Sequence, residues 1–180
     1  MVPDSILISR LKDSNTREEA FRELVSQYKE RLYWHIRRMV IDHDDADDVL
    51  QNTFVKIYRN INSFKQESSL FSWMYRIAIN ESITFLNAKA RRKGISNTEL
   101  QENLVKNLKA DVYFNGNEIL LKLQQAIATL PDKQKLVFNM KYFEELTYEE
   151  MSEILETSVG ALKASYHHAV KKIEQFLTAD

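Results

Sequence analysis

Glycine and proline are scarce in this chain: three glycines and two prolines occur in 180 residues. Folds rich in β-strands use both residues at their many tight turns, so an all-β sandwich or barrel is disfavoured. Hydrophobic residues make up 44% of the chain and the formal net charge is −1, which provides enough apolar material for packed cores. We therefore predict an all-α protein.

Two of the glycines, Gly94 and Gly116, bracket a segment that is rich in amide side chains and only loosely periodic. This segment predicts a flexible linker over 94–117. On that division, two small helical domains cover residues 1–93 and 118–180.

The N-terminal domain is predicted to be a three-helix bundle. Apolar residues recur at helical spacing from about 16 to 41, and again after an acidic cluster at 42–48. The polar stretch 62–69 ends the second helix, and a third amphipathic helix follows over 70–93. Its end is basic, because Lys89, Arg91, Arg92 and Lys93 follow one another closely.

The C-terminal domain is predicted to contain four helices, at about 118–130, 133–143, 148–155 and 159–177. We expect Asp132 to cap the second helix, Thr147 and Glu150 to form a capping box for the third, and Ser158 to cap the fourth. Only three residues, 156–158, separate the last two helices. A turn this short predicts a helix-turn-helix unit, whose second helix enters the major groove of DNA.

Several chemistries are excluded or disfavoured by composition. The chain has no cysteine, which removes thiol catalysis and Cys-based metal sites and suits a reducing compartment, so we expect a cytoplasmic protein. No run of 18 apolar residues and no signal segment occurs, so neither membrane insertion nor export is expected. The aspartates at 42–48 lack the Gly and Glu of a calcium loop. The four histidines have no zinc-site spacing. We expect no metal, no cofactor and no enzymatic activity.

Two surfaces carry the chemistry of nucleic-acid binding. The outward face of the last helix is basic, small and hydrogen-bonding, as phosphate and base-edge contacts require, although a solvated helix face is the alternative. The helix at 70–93 combines a basic end with aromatic and amide side chains, which is typical of binding to unpaired bases. Trp73, Ile77 and Phe85 are expected to belong to the core instead.

In combination these segments resemble an extracytoplasmic-function (ECF, group 4) RNA polymerase sigma factor of the sigma-70 family. The second sigma region is carried by residues 44–80, with the following NAKARRK, and reads DDADDVLQNTFVKIYRNINSFKQESSLFSWMYRIAIN. The fourth region is carried by residues 129–173, which include the turn and recognition helix LETSVGALKASYHHAVKKI. Both motifs occur in the family's order.

The resemblance implies a role for each surface. Core polymerase would be bound, at the clamp helices of its largest subunit, by Asp48, Val49, Gln51, Phe54, Val55 and Lys56. The −10 promoter element, as unpaired DNA, would be bound by Phe64, Lys65, Gln66, Ser68, Ser69, Arg76, Asn80, Asn87, Arg91 and Arg92. The −35 element, as duplex, would be bound by Ser158, Val159, Gly160, Ala161, Lys163, Ala164, Ser165, His167 and Lys171.

The resemblance also implies partners and one unusual turn. The polymerase flap region, promoter DNA and an anti-sigma factor are the expected partners. The family usually has glycine in the turn where Glu156 stands. A left-handed conformation there costs roughly 1 kcal/mol more for a residue other than glycine, so the turn is expected to differ slightly. The alternative functions are a DNA-binding regulator of the LuxR type, which would not need the pattern at 44–93, and a helical adaptor that sequesters a partner. We predict a sigma factor.

Overall fold

The computed structural model describes residues 1–108 and 117–179, and all regular structure in these ranges is helical. This confirms the all-α prediction. The helices are α1 (Asp4–Lys12), α2 (Arg17–Val40), α3 (His43–Asn60), α4 (Leu70–Lys93), α5 (Asn97–Asn107), α6 (Glu118–Ala128), α7 (Asp132–Tyr142), α8 (Tyr148–Leu155) and α9 (Val159–Thr178), with a 3₁₀ turn at Ile61–Ser63.

Helices α2, α3 and α4 form the predicted N-terminal bundle, but a fourth helix joins it. The sequence analysis does not predict α1, whose Leu7 and Leu11 are fully buried in the bundle core. The Tyr28 hydroxyl in α2 donates a 2.7 Å hydrogen bond to Asp4 Oδ1, which ties the start of α1 to α2. The bundle therefore consists of four helices.

The segment 94–117, predicted to be a flexible linker, contains helix α5, which the sequence analysis does not predict. Ser96 caps this helix by accepting a hydrogen bond from the Glu99 backbone N–H at 3.1 Å. Leu100, Leu104 and Val105 are buried against the end of α2, the end of α4 and the C-terminal helix α6. The first half of the segment is thus packed rather than free, while residues 109–116 lie outside the described residues.

The predicted caps are confirmed with one exception. The Thr147 hydroxyl and the Glu150 carboxylate form the reciprocal capping box of α8, and Ser158 Oγ accepts from the Ala161 backbone N–H at 3.2 Å. Asp132 does not cap α7, because the helix begins at Asp132 itself and Pro131 occupies the capping position without a side-chain hydrogen bond. Its carboxylate lies in the first turn, where it complements the helix dipole.

The C-terminal helices pack on the N-terminal bundle. Val137, Met140, Met151, Ile154 and Leu162 are buried in the same continuous apolar cluster as the residues of α2 and α4. A second cluster, formed by α6, α7 and α9, belongs to the C-terminal helices alone. We use the term closed arrangement for the packing of α7 and α8 on α2 and α4.

One carboxylate is buried within this contact. Glu144, between α7 and α8, has a side chain that is 5% exposed, and its Oε1 lies 2.9 Å from His35 Nδ1 and 3.7 Å from the Arg38 guanidinium. The ring of His35 also packs on Tyr75, with 4.0 Å between centroids. Side chains from both parts of the chain therefore meet in one buried polar group.

The Tyr28–Asp4 hydrogen bond yields a test of how α1 is held. Burial, and then the hydrogen bond and charge of the Asp4 carboxylate, raise the pKa of Tyr28 to about 12. Because the unfolded chain ionises near pH 10 and the folded chain does not, the free energy of unfolding falls as pH rises through this window. Tyr28→Phe should cost about 1 kcal/mol at pH 7 and remove this alkaline loss.

Urea unfolding of both proteins between pH 7 and pH 11.5 measures these quantities. Tyr142→Phe, which changes an exposed tyrosine at the end of α7, should alter stability at pH 7 by less than about 0.5 kcal/mol. An identical pH dependence in the parent chain and in Tyr28→Phe would contradict the assigned role of this hydrogen bond.

Candidate nucleic-acid interface

Helix α3 divides the predicted polymerase-binding residues into an exposed and a buried set. Asp48, Gln51, Val55 and Lys56 are exposed, and the Val55 side chain is 47% exposed although it is apolar. Lys56 is ion-paired with Glu81 of α4. The exposed set lies on one side of the helix, as spacings of three and four residues require.

Val49 and Phe54 do not belong to this exposed surface. They are 1% and 8% exposed, and both lie in the core of the bundle. The Phe54 ring packs edge-on against Phe21, with 6.2 Å between centroids. Val49 and Phe54 belong to the apolar stripe whose helical spacing predicts α3. The same stripe faces the core of the bundle, so the two side chains are buried.

The acidic cluster that begins α3 has local structural partners. Asp42 Oδ1 accepts a 3.0 Å hydrogen bond from the Asp45 backbone N–H and thereby caps the helix, while Asp45 forms an ion pair with Lys89 of α4. Among the described residues, no group of three or more acidic or histidine side chains has a geometry suited to a metal ion.

The loop between α3 and α4 exposes part of its predicted DNA-binding set. Lys65 and Gln66 are exposed, and Gln66 adopts a left-handed conformation with φ of 59° that turns the chain toward α4. Phe64 is 3% exposed and lies on Trp73, with ring centroids 5.0 Å apart. The Phe64 ring is therefore part of the core in this arrangement and supports the loop from beneath.

Helix α4 presents a polar face that continues from this loop. Asn80 is exposed and lies one turn after Arg76, so the two side chains share a face. Asn87, two turns further, accepts a 2.7 Å hydrogen bond from Asn97 of α5. Arg91 and Arg92 are exposed in the last turn, and Gly94 ends the helix with a φ of 67° that glycine adopts without strain.

The start of α4 is in contact with the helix-turn-helix. Glu153 of α8 accepts hydrogen bonds from the Ser69 backbone N–H at 3.0 Å and from the Ser72 hydroxyl at 2.6 Å. Glu156 accepts one from Arg76 at 2.9 Å. Two predicted contacts to the −10 element, Ser69 and Arg76, are therefore bound to carboxylates of the C-terminal helices.

These hydrogen bonds favour the ionised form of the Glu153 carboxylate. The bond from Ser72, with those from Ser69, lowers the pKa of Glu153, and burial opposes this only in part. A carboxylate whose pKa is lowered on contact stabilises the contact above its ordinary pKa and loses that effect as pH falls through the lowered value. The contact between α8 and α4 should therefore weaken only in acid.

Helices α8 and α9 form the predicted helix-turn-helix. Glu156 has φ of 52° and ψ of 40°, so this turn residue is left-handed although it is not glycine, and the expected departure is not found at this position. Leu162, Ala169 and Ile173 face the core. The opposite face of α9 is open to solvent, and it exposes Ala161, Lys163, Ala164, His167, His168, Lys171 and Lys172, with Ser165 half-buried.

Charge differs sharply between this exposed face of α9 and the segment that precedes it. Residues 118–157 contain four basic and eight acidic side chains. Lys163 stands at the border of the two regions, and its ammonium lies 5.6 Å from the centre of the Tyr148 ring. The acidic flank repels anions, whereas the exposed lysine face of α9 attracts them.

Sequence reasoning missed Glu144, Glu153 and Ser72 as residues of this region. Each is an ordinary polar residue on a helix or in a loop, and its importance comes from a partner about 80 to 110 positions away. The surplus of acidic residues at 118–157 was the available signal. This surplus indicates a surface that attracts basic side chains, but it does not identify the side chains that bind there.

Both halves of the chain match described sequence families. Residues 24–92 match the model of "Sigma-70 region 2", and residues 120–173 match that of "Sigma-70, region 4". The ECF RNA polymerase sigma-E factor of Haemophilus influenzae is 31% identical, over 95% of this chain and 93% of the relative. The ECF RNA polymerase sigma factor SigW of Bacillus subtilis is 31% identical, over 89% and 90% of the two chains.

Solved structures share the arrangement of helices. CnrH, solved in complex with the cytosolic domain of CnrY, superposes with a TM-score of 0.71 at 21% identity and covers 98% of both chains. The sigma factor RpoE of Bartonella quintana, solved with the anti-sigma factor NepR, gives 0.65 at 19% identity over 89% of this chain and 98% of the other. At these identities the likeness concerns the fold.

The carboxylate contacts on α4 yield a test of the closed arrangement. Glu153→Ala combined with Glu156→Ala removes the acceptors for Ser69, Ser72 and Arg76, and we expect the two halves to separate more often. Small-angle X-ray scattering should then report a larger radius of gyration at neutral pH than for the parent chain.

The matched control is Glu149→Ala combined with Glu174→Ala, which removes the same charge from exposed positions on α8 and α9. It should leave the radius unchanged. A radius that stays the same in the Glu153 and Glu156 double variant would show that apolar side chains alone hold the closed arrangement.

Proposed function

Because this chain belongs to the ECF sigma factors of the sigma-70 family, we propose a specific role for each of the surfaces described above. A sigma factor binds core RNA polymerase, directs it to particular promoters and helps to initiate transcription, and this is the function of the chain. The observation that carries the assignment is the ordered presence of both sigma regions. A LuxR-type regulator would not require the region at 24–92, so this alternative is not favoured.

The exposed side of α3 is the proposed docking surface for core polymerase. Asp48, Gln51, Val55 and Lys56 offer charge, an amide and an apolar patch on one side of a rigid helix. Val49 and Phe54 contribute by fixing that helix in the bundle. On this proposal the clamp helices of the largest polymerase subunit contact the exposed set only.

The loop at 62–69 and the polar face of α4 are the proposed reader of the −10 element. Lys65, Gln66, Ser68 and Ser69 line the loop, while Asn80 and Asn87 offer amides that can hydrogen-bond the edge of an unpaired base. Arg76, Arg91 and Arg92 would hold phosphates along the same helix. Because Phe64 is buried, we assign it to the support of the loop rather than to a base.

The exposed face of α9 is the proposed reader of the −35 duplex. Ser158, Val159, Gly160 and Ala161 form its first turn, where small side chains allow a close approach to the groove. Ala164 and Ser165 would face base edges, and Lys163, His167 and Lys171 would contact phosphate or bases.

DNA binding by α4 requires the closed arrangement to open. Ser69 and Arg76 cannot contact DNA while they are bound to Glu153 and Glu156. We propose that core polymerase, through its clamp and flap, holds the two sigma regions apart and so frees these groups. One solved relative is bound to an anti-sigma factor, and a partner of this kind would act by keeping the chain closed.

Sigma factors initiate transcription without catalysing a reaction themselves, and we propose that this chain likewise makes and breaks no covalent bonds. Its partners, core polymerase and promoter DNA, place it in the cytoplasm on this proposal. None of the described helices is both long and apolar enough to cross a membrane.

The docking surface can be tested by Gln51→Ala combined with Lys56→Ala. Both side chains are exposed, so helicity should be retained, while affinity for core enzyme should fall roughly tenfold, or about 1.4 kcal/mol. Competition against another sigma factor for core enzyme measures this change. Glu102→Ala, exposed on α5, is the control, and full competition by the double variant would exclude this face of α3.

The two proposed DNA contacts should fail in different ways. Lys163→Ala combined with Lys171→Ala should lower promoter affinity and reduce the slope of log affinity against log salt by about one for each lost phosphate contact. Asn80→Ala should leave recruitment to duplex intact and impair melting, because the base it holds must be unstacked at a cost of a few kcal/mol.

A template that is already mismatched across the −10 element separates these effects in a run-off transcription assay. The Asn80 variant should recover part of its activity on this template, and the lysine double variant should recover little. Equal behaviour of the two variants would contradict the proposed division of roles.

A further inference from the structure

A cavity of about 360 Å³ lies where the two halves of the chain meet. Its size is within the range of small-molecule sites, about 300 to 1,000 Å³. Most of its wall is apolar and comes from α2, α4, α7 and α8, through Met39, Ile83, Leu86, Leu136 and Leu155. Helix α5 closes one side with Asn97 and Gln101. The cavity therefore exists only when both halves and α5 are packed together.

A largely buried cation lines this cavity. The Lys135 side chain is 13% exposed, and its ammonium lies 3.8 Å from Asp132 Oδ1, which is too long for a direct hydrogen bond. The Asp132 side chain is itself 90% exposed, so water weakens its charge. Burial lowers the pKa of Lys135, and the Asp132 charge opposes this only in part. A closely held anion is what this ammonium lacks.

A buried amide stands beside it on the same helix. Asn139 is 4% exposed and lies one turn after Lys135 on α7, and both line the cavity. The other buried amide of the wall, Gln101, donates to the Met39 carbonyl at 3.3 Å. Asn139 therefore places an amide in the cavity wall, one turn from Lys135.

We propose that this cavity binds a small amphiphilic carboxylate, with its apolar body among the leucines and its head group on Lys135 and Asn139. The anion would give Lys135 the close partner it lacks, and a second cation, Lys133, lies at the rim. Binding to the closed arrangement alone shifts the equilibrium toward it, by about 100-fold at a ligand concentration 100 times its dissociation constant. Such a ligand would restrain the chain from transcription, a consequence that rests on the proposed function.

Decanoate is a suitable probe, and binding is measured first on the full chain without polymerase. Calorimetric titration should show saturable binding of one molecule, and the midpoint of thermal unfolding should rise with ligand concentration. Lys135→Met, which keeps the stem and removes the charge, should weaken binding at least tenfold. Absence of saturable binding to the parent chain would overturn the proposed site.

A second variant tests the position of the ligand without altering the core. Ile83 is 42% exposed at the edge of the cavity, and Ile83→Trp places a large ring in the space that decanoate would fill. Thr84→Trp adds the same ring at the next, exposed position outside the cavity. Decanoate should bind the Thr84 variant normally and the Ile83 variant at least tenfold more weakly. Equal affinities would place the ligand elsewhere and overturn the site.

Run-off transcription with core enzyme then tests the consequence. Decanoate should reduce transcription by the parent chain and have little effect on the Lys135→Met chain. Binding without any change in transcription would overturn the link to the closed arrangement. Failure of the proposed sigma function would be visible separately, as absence of transcript without decanoate.

Discussion

The structure depends on the contact that joins the two halves of the chain, and the buried carboxylate of Glu144 shows how finely this contact is balanced. Its Oε1 meets His35 at 2.9 Å in an interior where both side chains are at most 5% exposed. Yet Glu144 Oε2, His35 Nε2 and the Tyr75 hydroxyl have no hydrogen-bond partner in the described part of the chain. Because an unpartnered buried polar atom costs roughly 1–3 kcal/mol, the apolar side chains around this group must offset that cost. The apolar cluster shared by both halves therefore stabilises the contact, and this polar group makes it specific at some cost.

The same contact covers polar groups at the start of α4. At the start of α4, the carboxylates of Glu153 and Glu156 accept hydrogen bonds from Ser69, Ser72 and Arg76. Backbone N–H, hydroxyl and guanidinium groups also donate hydrogen bonds to DNA phosphates. The acidic side chains of the C-terminal half and a nucleic acid therefore compete for the same donors. Exposed ion pairs contribute about 0–1 kcal/mol each, and a partner that binds many such groups at once can displace them. The acidic surplus at 118–157 thus acts on α4 as well as repelling phosphate.

The sequence was sufficient for the parts of the structure that follow from local pattern. Periodicity placed the long helices, and the T-x-x-E spacing at Thr147 predicted the capping box. The same reasoning failed for α1 and α5, which are short and acquire their stability from burial against distant helices. The family resemblance assigned Val49 and Phe54 the same role as their exposed neighbours. It does not show which face of α3 packs against α2, and that face decides which residues are buried.

The closed arrangement lay beyond sequence reasoning for a related physical reason. Val137, Met140 and Met151 belong to the segment predicted to be a separate C-terminal domain, and nothing in their spacing distinguishes burial within that domain from burial against α2 and α4. Burial of apolar area has no direction, so one periodic stripe can cover either a neighbour in its own domain or a distant one. The choice is made by the few polar groups that must be paired when the surfaces meet, among them His35 with Glu144 and Arg76 with Glu156. Those pairs join residues on opposite sides of the linker, and the surfaces they bring together also enclose the cavity around Lys135. Apolar area supplies the affinity of the two halves for each other, and these polar pairs determine their register.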